Sequence, residues 1–531
     1  MNYLSKTPSH GFKLTGKVGD YGYRLAEIEA GGKSSSNGAI GGINLIQSES
    51  SGYQANGFKM YDILLQGGIE VAQNQWLSLK YTHYDNNINT SYVGLRPTQY
   101  MNRSKDNLPS NDRFITQRNA VDINHSLELN SDTKINTLMY WSKLSRDYWR
   151  QSILNRTQDA TIFKACNVGS DCLVGRNREF QMLGIDSRVS HAYKALGITN
   201  EAEFAIRLHT ESQINQLVSS QTLAYSGRVS LQEDNKANSL AMHGQNRFLL
   251  TKNFAVIPGV RIASYNQTRS NVITGQSGSA KNVETIPQIG ATWQLTPQAQ
   301  VYGSIYKGFA PAQLATAIDD KGVDQQLAPE CSTNMELGLR GRAGAFSYDS
   351  AIFSMNFSNQ IVNPSLAAGI SKANGGKRLH PGAEASLADA RGRGWGINGN
   401  ATYIPVAKFV GTNSLGRDGN RIPYYTPKLT SNLGISYEKN GLNTLLSLNY
   451  VSAQYADSAN TVAQNTIGTL GEIPAFATVN WSANYPINKD WKVFGVINNL
   501  VDKRYIASRS PDGIFAGAPL NFQAGMSYQF N

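Results

Sequence analysis

The chain has 531 residues, 16% of them charged, with 49 Gly, 26 Tyr, a net charge of +11 and a pI near 9.3. Mean hydropathy is −0.37, and no stretch approaches the roughly 18 uninterrupted apolar residues of a spanning helix, which excludes a helical membrane protein. The basic charges are dispersed rather than blocked, which argues against nucleic-acid binding, whereas a membrane β-barrel with a polar lumen would show this same hydropathy.

In chain order, the opening "MNYLSKTPSHGF" carries no export signal, no helix cap and no apolar run. "THYD" at 82–85 places His83 and Asp85 on one face of a strand end. Two side chains do not make a metal site, and the pair reads as lumen-facing polar residues. No other histidine falls into a metal motif, so no metal ligands are assigned. The stretch "SKLSRDYWRQSILNRTQDATIFKACNVGSDCLVGRNREF" gathers Arg146, Tyr148, Trp149, Arg150, Arg156, Arg176 and Arg178 around Cys166 and Cys172. The "CNVGSDC" spacing suits a small disulfide-closed loop in an oxidising compartment; zinc would need a second ligand pair. Cys331 has no partner in sequence.

Alternation with a period of two dominates the chain. In "SNLGISYEKNGLNTLLSLNYV", Leu433, Ile435 and Tyr437 share one face, and Leu446, Leu448 and Tyr450 alternate with Ser447 and Asn449 beyond the Lys439-Asn440-Gly441 turn. That is a hairpin with one apolar and one polar face. "FATVNWSANYPINKDW" repeats the design, with aromatics gathered near strand ends as a membrane-interface girdle requires. The closing "NFQAGMSYQFN" alternates Phe522, Ala524, Met526, Tyr528 and Phe530 with Gln523, Gly525, Ser527 and Gln529.

Roughly ten short connections, such as "KSSSNG", "ELNSDTK", "RAGAF" and "EKNG", alternate with long Ser, Asn, Gly and Pro-rich segments at 85–117, 145–180, 306–334, 357–378 and 452–475. Short turns on one side and long loops on the other predict an all-β transmembrane antiparallel β-barrel of about 22 strands, with short periplasmic turns and long extracellular loops. A secreted β-solenoid would instead show a repeat of constant period, which is absent.

Two stretches go beyond architecture. "YKGFAPAQLATAIDDKGVDQQLAPECSTNMELGLRG" resembles the barrel signature of TonB-dependent receptors through Gly308, Phe309, Pro311, Leu327, Pro329, Glu330, Asn334, Glu336 and Gly338. "NNLVDKRYIASRSPDGIFAGAPLNFQAGMSYQF" is similar to the terminal box of that family, with Asn499, Leu500, Asp502, Lys503 and Tyr505 opening the last loop and Phe530 closing the last strand. "SPDGIFAGAP" resembles the ferric-citrate receptor branch, with Leu520 where that branch has Arg. Gly382 and Glu384 fit a Gly-x-Glu strand of the same barrels.

The resemblance implies residues 1–10 as a remnant of the end of a plug domain and 11–531 as the barrel, with signal peptide, TonB box and plug not found in this chain. It implies uptake, not catalysis: an outer-membrane receptor for a ferric chelate, ferric citrate or another siderophore, energised by TonB–ExbB–ExbD through a plug. Iron would enter only as part of the chelate, with no resident cofactor. Lipid and lipopolysaccharide would surround the wall, and no nucleic acid is implicated. Arg146, Tyr148, Trp149, Arg150, Arg156, Arg176 and Arg178 are the candidate ligand contacts, because planar guanidinium groups bind carboxylates bidentately. The alternative for each arginine is balance of a lumen carboxylate or contact with lipopolysaccharide phosphates. A plugless passive pore and a non-transporting remnant are the alternatives for the chain. No Gly-x-Ser-x-Gly nucleophile elbow occurs, and an enzyme is not expected.

Overall fold

The structure is a computed structural model that describes residues 10–36, 38–105, 109–195, 197–313, 317–318, 324, 327–362, 373–389, 394–411, 417–423 and 426–530. Twenty-two antiparallel strands close into one barrel. They are β1 Gly11–Gly19, β2 Tyr23–Lys33, β3 Ile40–Ser50, β4 Phe58–Ala72, β5 Gln75–Ile88, β6 Arg113–Asn130, β7 Thr133–Gln151, β8 Leu173–Ala195, β9 Ile198–Ser220, β10 Arg228–Leu249 and β11 Phe254–Asn271. The second half comprises β12 Ser277–Thr296, β13 Ala299–Ala310, β14 Glu330–Ala343, β15 Phe346–Val362, β16 Ala373–Asp389, β17 Gly394–Tyr403, β18 Leu429–Lys439, β19 Leu442–Val451, β20 Phe476–Pro486, β21 Trp491–Asn498 and β22 Asn521–Phe530. Each strand pairs with its sequence neighbour, and β1 closes on β22 from Phe12 opposite Phe530 to Gly19 opposite Gln523. Closure leaves no unpaired edge, which hydrocarbon would not tolerate.

The alternation expected from sequence sets the two faces. Leu433 pairs with Leu448 and Ile435 with Leu446, and all four are exposed on the outer wall. Their turn places Asn440 and Gly441 at positive φ, as a two-residue hairpin turn requires. Seven of the ten expected short turns consist wholly of described residues, and all seven link an even-numbered strand to the next odd-numbered one, at one end of the barrel. Trp395 packs on Tyr437 and Trp491 on Tyr528 near that end, each pair at 4.8 Å.

The long connections are shorter than the sequence suggested. The 145–180 segment is strand up to Gln151 and from Leu173 onward, and 85–117 is strand up to Ile88 and from Arg113. β8 and β9 run 23 residues each, about twice what a tilted strand needs to cross a bilayer, so the wall projects well beyond the membrane on the loop side. An outward Lys143–Glu179 ion pair at 2.9 Å marks where the apolar face ends on β7 and β8. Above that level the wall stands in water.

His83 requires a correction. It shares strand parity with the outward Leu77 and Leu79 on β5. The His83 ring nitrogen Nδ1 lies 2.9 Å from Asn119 Oδ1, and the Gln117 side-chain amide donates to Asp85 at 3.5 Å. His83 and Asp85 therefore lie on the outer face above the apolar residues, not in the lumen. The side facing inward could not be read from four residues without the strand register.

Candidate functional site

Along β7 the residues Arg146, Tyr148 and Arg150 point inward, because they alternate with Met139, Trp141 and Lys143 of the outer face. On β8, Arg178 stands opposite Arg146 and Arg176 opposite Tyr148. The long connection at 151–173 therefore returns the chain so that four guanidinium groups share one patch of the upper lumen wall. Aromatic faces hold two of them. Arg146 lies over Phe114 and Phe180 at 5.8 and 6.0 Å. Arg150 lies over Tyr92 at 4.3 Å and Tyr148 at 5.4 Å. Such stacking orients a planar cation without neutralising it.

Among the described residues, none of Arg146, Arg150, Arg176 and Arg178 has a carboxylate within ion-pair distance. Arg178 Nε donates to Asn215 Oδ1 at 3.0 Å, and Asn215 Nδ2 donates in turn to Glu233 at 2.9 Å. Among the described residues, the buried Nε of Arg146 has no hydrogen-bond acceptor. Burial, followed by the neighbouring Arg150 and Arg178, lowers the pKa of Arg176, and burial with Arg146 lowers that of Arg178. A patch of like charges in half-buried surroundings is an electrostatic receiver for an anion.

One carboxylate approaches this patch without closing on it. Asp112 is buried just before β6 and accepts the backbone N–H groups of Gln151 at 2.7 Å and Tyr92 at 3.0 Å. Burial pushes its pKa up to about 6, against the opposing pull of those two N–H groups and of Arg150 and Arg113. Burial, and after it the same residue, raise the Tyr148 phenol to about 12.

Two expected contacts are not in the patch. Trp149 alternates to the other face and is buried against Cys172, Leu173 and Val218, with Tyr225 at 5.9 Å. Arg156 donates through Nε to Asp512 at 2.8 Å and is held there, away from the patch. Asp512 also receives Arg96, which is wholly buried and donates to Thr161 and to the Ile467 carbonyl. Arg96, Asp512, Tyr92, Phe114 and Phe180 escaped the sequence reading. For Phe114 and Phe180, strand parity carried the signal; for Arg96 and Asp512 nothing local did. Cys166 and Cys172 are disulfide-bonded, Cα to Cα 5.0 Å, in the connection beside the patch.

The motif residues sit where they shape the wall. Phe309 stacks on Tyr265 at 6.4 Å and Gly308 pairs with Ser332. Pro311 is exposed just past β13, whereas Pro329 is buried before β14. Leu327 is buried with Ala280, Ala312, Ala317 and Ile318. Glu330 accepts the Ile361 N–H at 2.8 Å, and Asn334 donates to Ser332 at 2.9 Å. Glu336 faces the lumen between the outward Met335 and Leu337. At Gly338 a Cβ would lie 2.3 Å from the Tyr302 ring, which covers the glycine and donates to Asp349 at 2.9 Å. At the tail, Asn499 donates to the carbonyls of Lys503 and Ala518 and accepts the Lys503 N–H, clamping the base of the last connection. The Leu500 N–H donates to Val479, and Asp502 accepts the N–H of Leu520. Tyr505 packs on Phe476 at 4.2 Å. Phe530 lies in the closing seam opposite Phe12.

A closed 22-stranded antiparallel wall with long strands and an apolar outer face defines an outer-membrane β-barrel. Residues 59–500 match the family described as TonB dependent receptor-like, beta-barrel, and the chain belongs to that family. The family is one of receptors and transporters rather than enzymes. The pesticin receptor of Yersinia enterocolitica is 26% identical over 327 residues, covering 59% of this chain and 46% of the relative. The metal-pseudopaline receptor CntO of Pseudomonas aeruginosa is 23% identical over 325 residues, covering 56% and 41%. The chain thus matches less than half the length of these curated relatives. Among solved structures, the unliganded ferric citrate transporter FecA superposes with a TM-score of 0.86 at 19% identity, over 99% of this chain and 79% of that one. The ferric yersiniabactin uptake receptor FyuA of Yersinia pestis gives 0.79 at 16% identity, over 99% and 81%. At such identities the likeness establishes the fold.

Proposed function

We propose that this chain forms the wall and outer vestibule of a receptor that takes up an anionic ferric chelate, ferric citrate or another siderophore bearing carboxylates. The carrying observation is the set of four lumen-facing guanidinium groups, Arg146, Arg150, Arg176 and Arg178, without carboxylate partners among the described residues. Carboxylate oxygens of a chelate fit the guanidinium forks, and Phe114, Phe180, Tyr92 and Tyr148 supply faces for its organic part. Iron is cargo, and the protein holds no resident cofactor. Energy comes from TonB–ExbB–ExbD through a plug in the lumen, while lipid and lipopolysaccharide surround the outer wall. Names of relatives that take up ferric citrate and ferric yersiniabactin support the substrate class.

The test replaces Arg150, Arg176 and Arg178 together with Ala in a plug-containing protein and measures ferric citrate affinity by titration. Charge-assisted hydrogen bonds contribute about 1.5–3 kcal/mol each, so affinity falls by at least 100-fold. Unchanged affinity would sink the assignment.

A further inference from the structure

Two buried nitrogens on the inner face of β16 lack partners. Ile352 is exposed on the outer wall and stands opposite Ala383, so Gly382, His380 and Arg378 face inward. Arg378 Nε and His380 Nε2 are both buried, and neither has a hydrogen-bond partner among the described residues. Residues two apart on one face of a strand stand about 6.6 Å apart. One small acceptor between these two side chains can therefore take a hydrogen bond from each. Buried donors left in this way call for a water or an ion.

Rings and a returning segment of chain enclose the space. β17 is ten residues long, a length that crosses a bilayer, and its pairing with β16 stops at Ala383 opposite Tyr403. Above that level, outside the membrane, Leu379 and Arg378 pair instead with Lys408 and Phe409 of the connection at 404–428. Arg378 thus lies between Phe357 of β15 and Phe409, its guanidinium 5.4 Å over the Phe409 ring. The Phe357 ring meets His380 edge to face at 5.4 Å. Phe409 and Ala407 are each buried. Arg421, in the same connection, donates to the carbonyls of Ile404, Pro405 and Thr426, which fixes its guanidinium without compensating its charge.

The field in this space is positive. Among the described residues, neither Arg378 nor Arg421 has a carboxylate within ion-pair distance. Glu330, whose field reaches Arg378, is committed to the Ile361 N–H at 2.8 Å. Burial, and after it Arg378 and Arg421, push the His380 imidazole down to about 4. The ring is therefore neutral at neutral pH and offers an N–H rather than a third charge. A water would accept from both donors but leave the cations uncompensated, whereas an anion satisfies both needs at once. The burial of the two nitrogens restricts that anion to a small one.

We propose that Arg378 and His380 bind a small inorganic anion, chloride or one of its size, which pins the connection at 404–428 to the inner face of β16. The site shares no residue with the arginine patch of β7 and β8, and it serves the wall rather than chelate capture.

The test uses the full chain purified in detergent, with chloride titrated against gluconate, an anion too large for the site, at constant ionic strength. A ligand protects in proportion to 1 + [L]/Kd, and cutting of a transiently opened segment follows its open population. At ten times Kd, chloride therefore slows tryptic cutting within 404–428 about 10-fold. Bromide soaked into crystals is located by its anomalous scattering between Arg378 Nε and His380 Nε2. Arg378→Met, which keeps an unbranched side chain against Phe409, and His380→Phe each abolish the chloride protection and the bromide peak. Heat-modifiable electrophoretic mobility shows the barrel intact in both, and ferric citrate affinity stays at the wild-type value. Equal cutting in chloride and gluconate overturns the proposal: without a bromide peak the donors hold water, and with one the halide binds at crystal concentration only. Chloride protection that survives in both variants places the anion elsewhere and overturns it as well. Protection by ferric citrate in place of chloride, lost in Arg378→Met, overturns the small anion and makes the chelate the occupant.

Discussion

Arg96 Nη2 donates to Asp512 Oδ1 at 3.1 Å across 416 positions of the chain. Neither side chain sees much water: Arg96 is 0% exposed and Asp512 5%. Arg156 takes the other carboxylate oxygen, and Arg96 spends its remaining donors on Thr161 and Ile467. Backbone bridges Val93–Asp512 and Leu95–Ile514 run alongside, over a buried cluster of Leu95, Ile473, Ile506 and Ile514. Four connections far apart in sequence are thereby tied into one rim beside the arginine patch.

Removing Arg96 leaves Asp512 paired with Arg156 alone and strips Thr161 and the Ile467 carbonyl of their donor, at a cost of about 1–3 kcal/mol. Arg96→Met is therefore expected to open the rim while the barrel persists. Limited proteolysis should show new cuts within 451–476 and 498–521, with heat-modifiable mobility unchanged. Wild-type protection of those segments in the variant would refute it.

Adjacent residues on β7 should separate cleanly. Trp149→Ala removes a buried ring from the outer cluster and costs about 3–5 kcal/mol of stability, with chelate affinity intact. Tyr148→Ala removes the face under Arg150 and weakens chelate binding with a smaller loss of stability. Urea unfolding and chelate titration on both variants check the pair, and the same phenotype in both would contradict the strand register.

The rim should respond to pH through Asp112. Its folded pKa, about 6, lies above the ordinary 3.8, so the unfolded chain releases this proton first as pH rises. Stability is fullest below about pH 4, declines between 4 and 6 and is then level, a change on the order of 2–3 kcal/mol. Asp112→Asn should flatten the profile across that window. Hydrogen exchange at Tyr92 and Gln151 at pH 4, 5, 6 and 7 would detect it, and a slope surviving in the variant would assign the titration elsewhere.

Gly338 tests the wall itself. A methyl group there displaces the Tyr302 ring and its hydrogen bond to Asp349, a cost of about 1–3 kcal/mol. Adding Tyr302→Ala to Gly338→Ala should make the glycine substitution nearly neutral, since the double variant has nothing left to displace. Full additivity in urea unfolding would show that the ring does not rest on the glycine.

Capture by the arginine patch should weaken with salt. Four cations act together on an approaching anion, and such steering is screened beyond about 8 Å at physiological ionic strength. The association rate of ferric citrate should fall several-fold between 20 and 200 mM salt, measured by stopped flow, and the triple arginine variant should lose most of that dependence.

By itself the sequence determined the barrel. Alternation such as Leu433–Ile435 against Leu446–Leu448 is a local consequence of the strand's period of two, and ten short turns count the strands without any knowledge of their neighbours. It also collected the arginines of 142–180 in one stretch. Which of them act together was decided only by tertiary structure. A face is assigned by register against the next strand, so Arg146, Tyr148, Arg150, Arg176 and Arg178 gather inward while Trp149 turns out and His83 stands on the outer wall. Ion pairing is assigned by contacts across hundreds of residues, so Arg156 pairs with Asp512, whereas Arg178 has no carboxylate partner among the described residues. Periodicity is written in neighbouring residues; pairing across the barrel is set by closure, which no single segment contains.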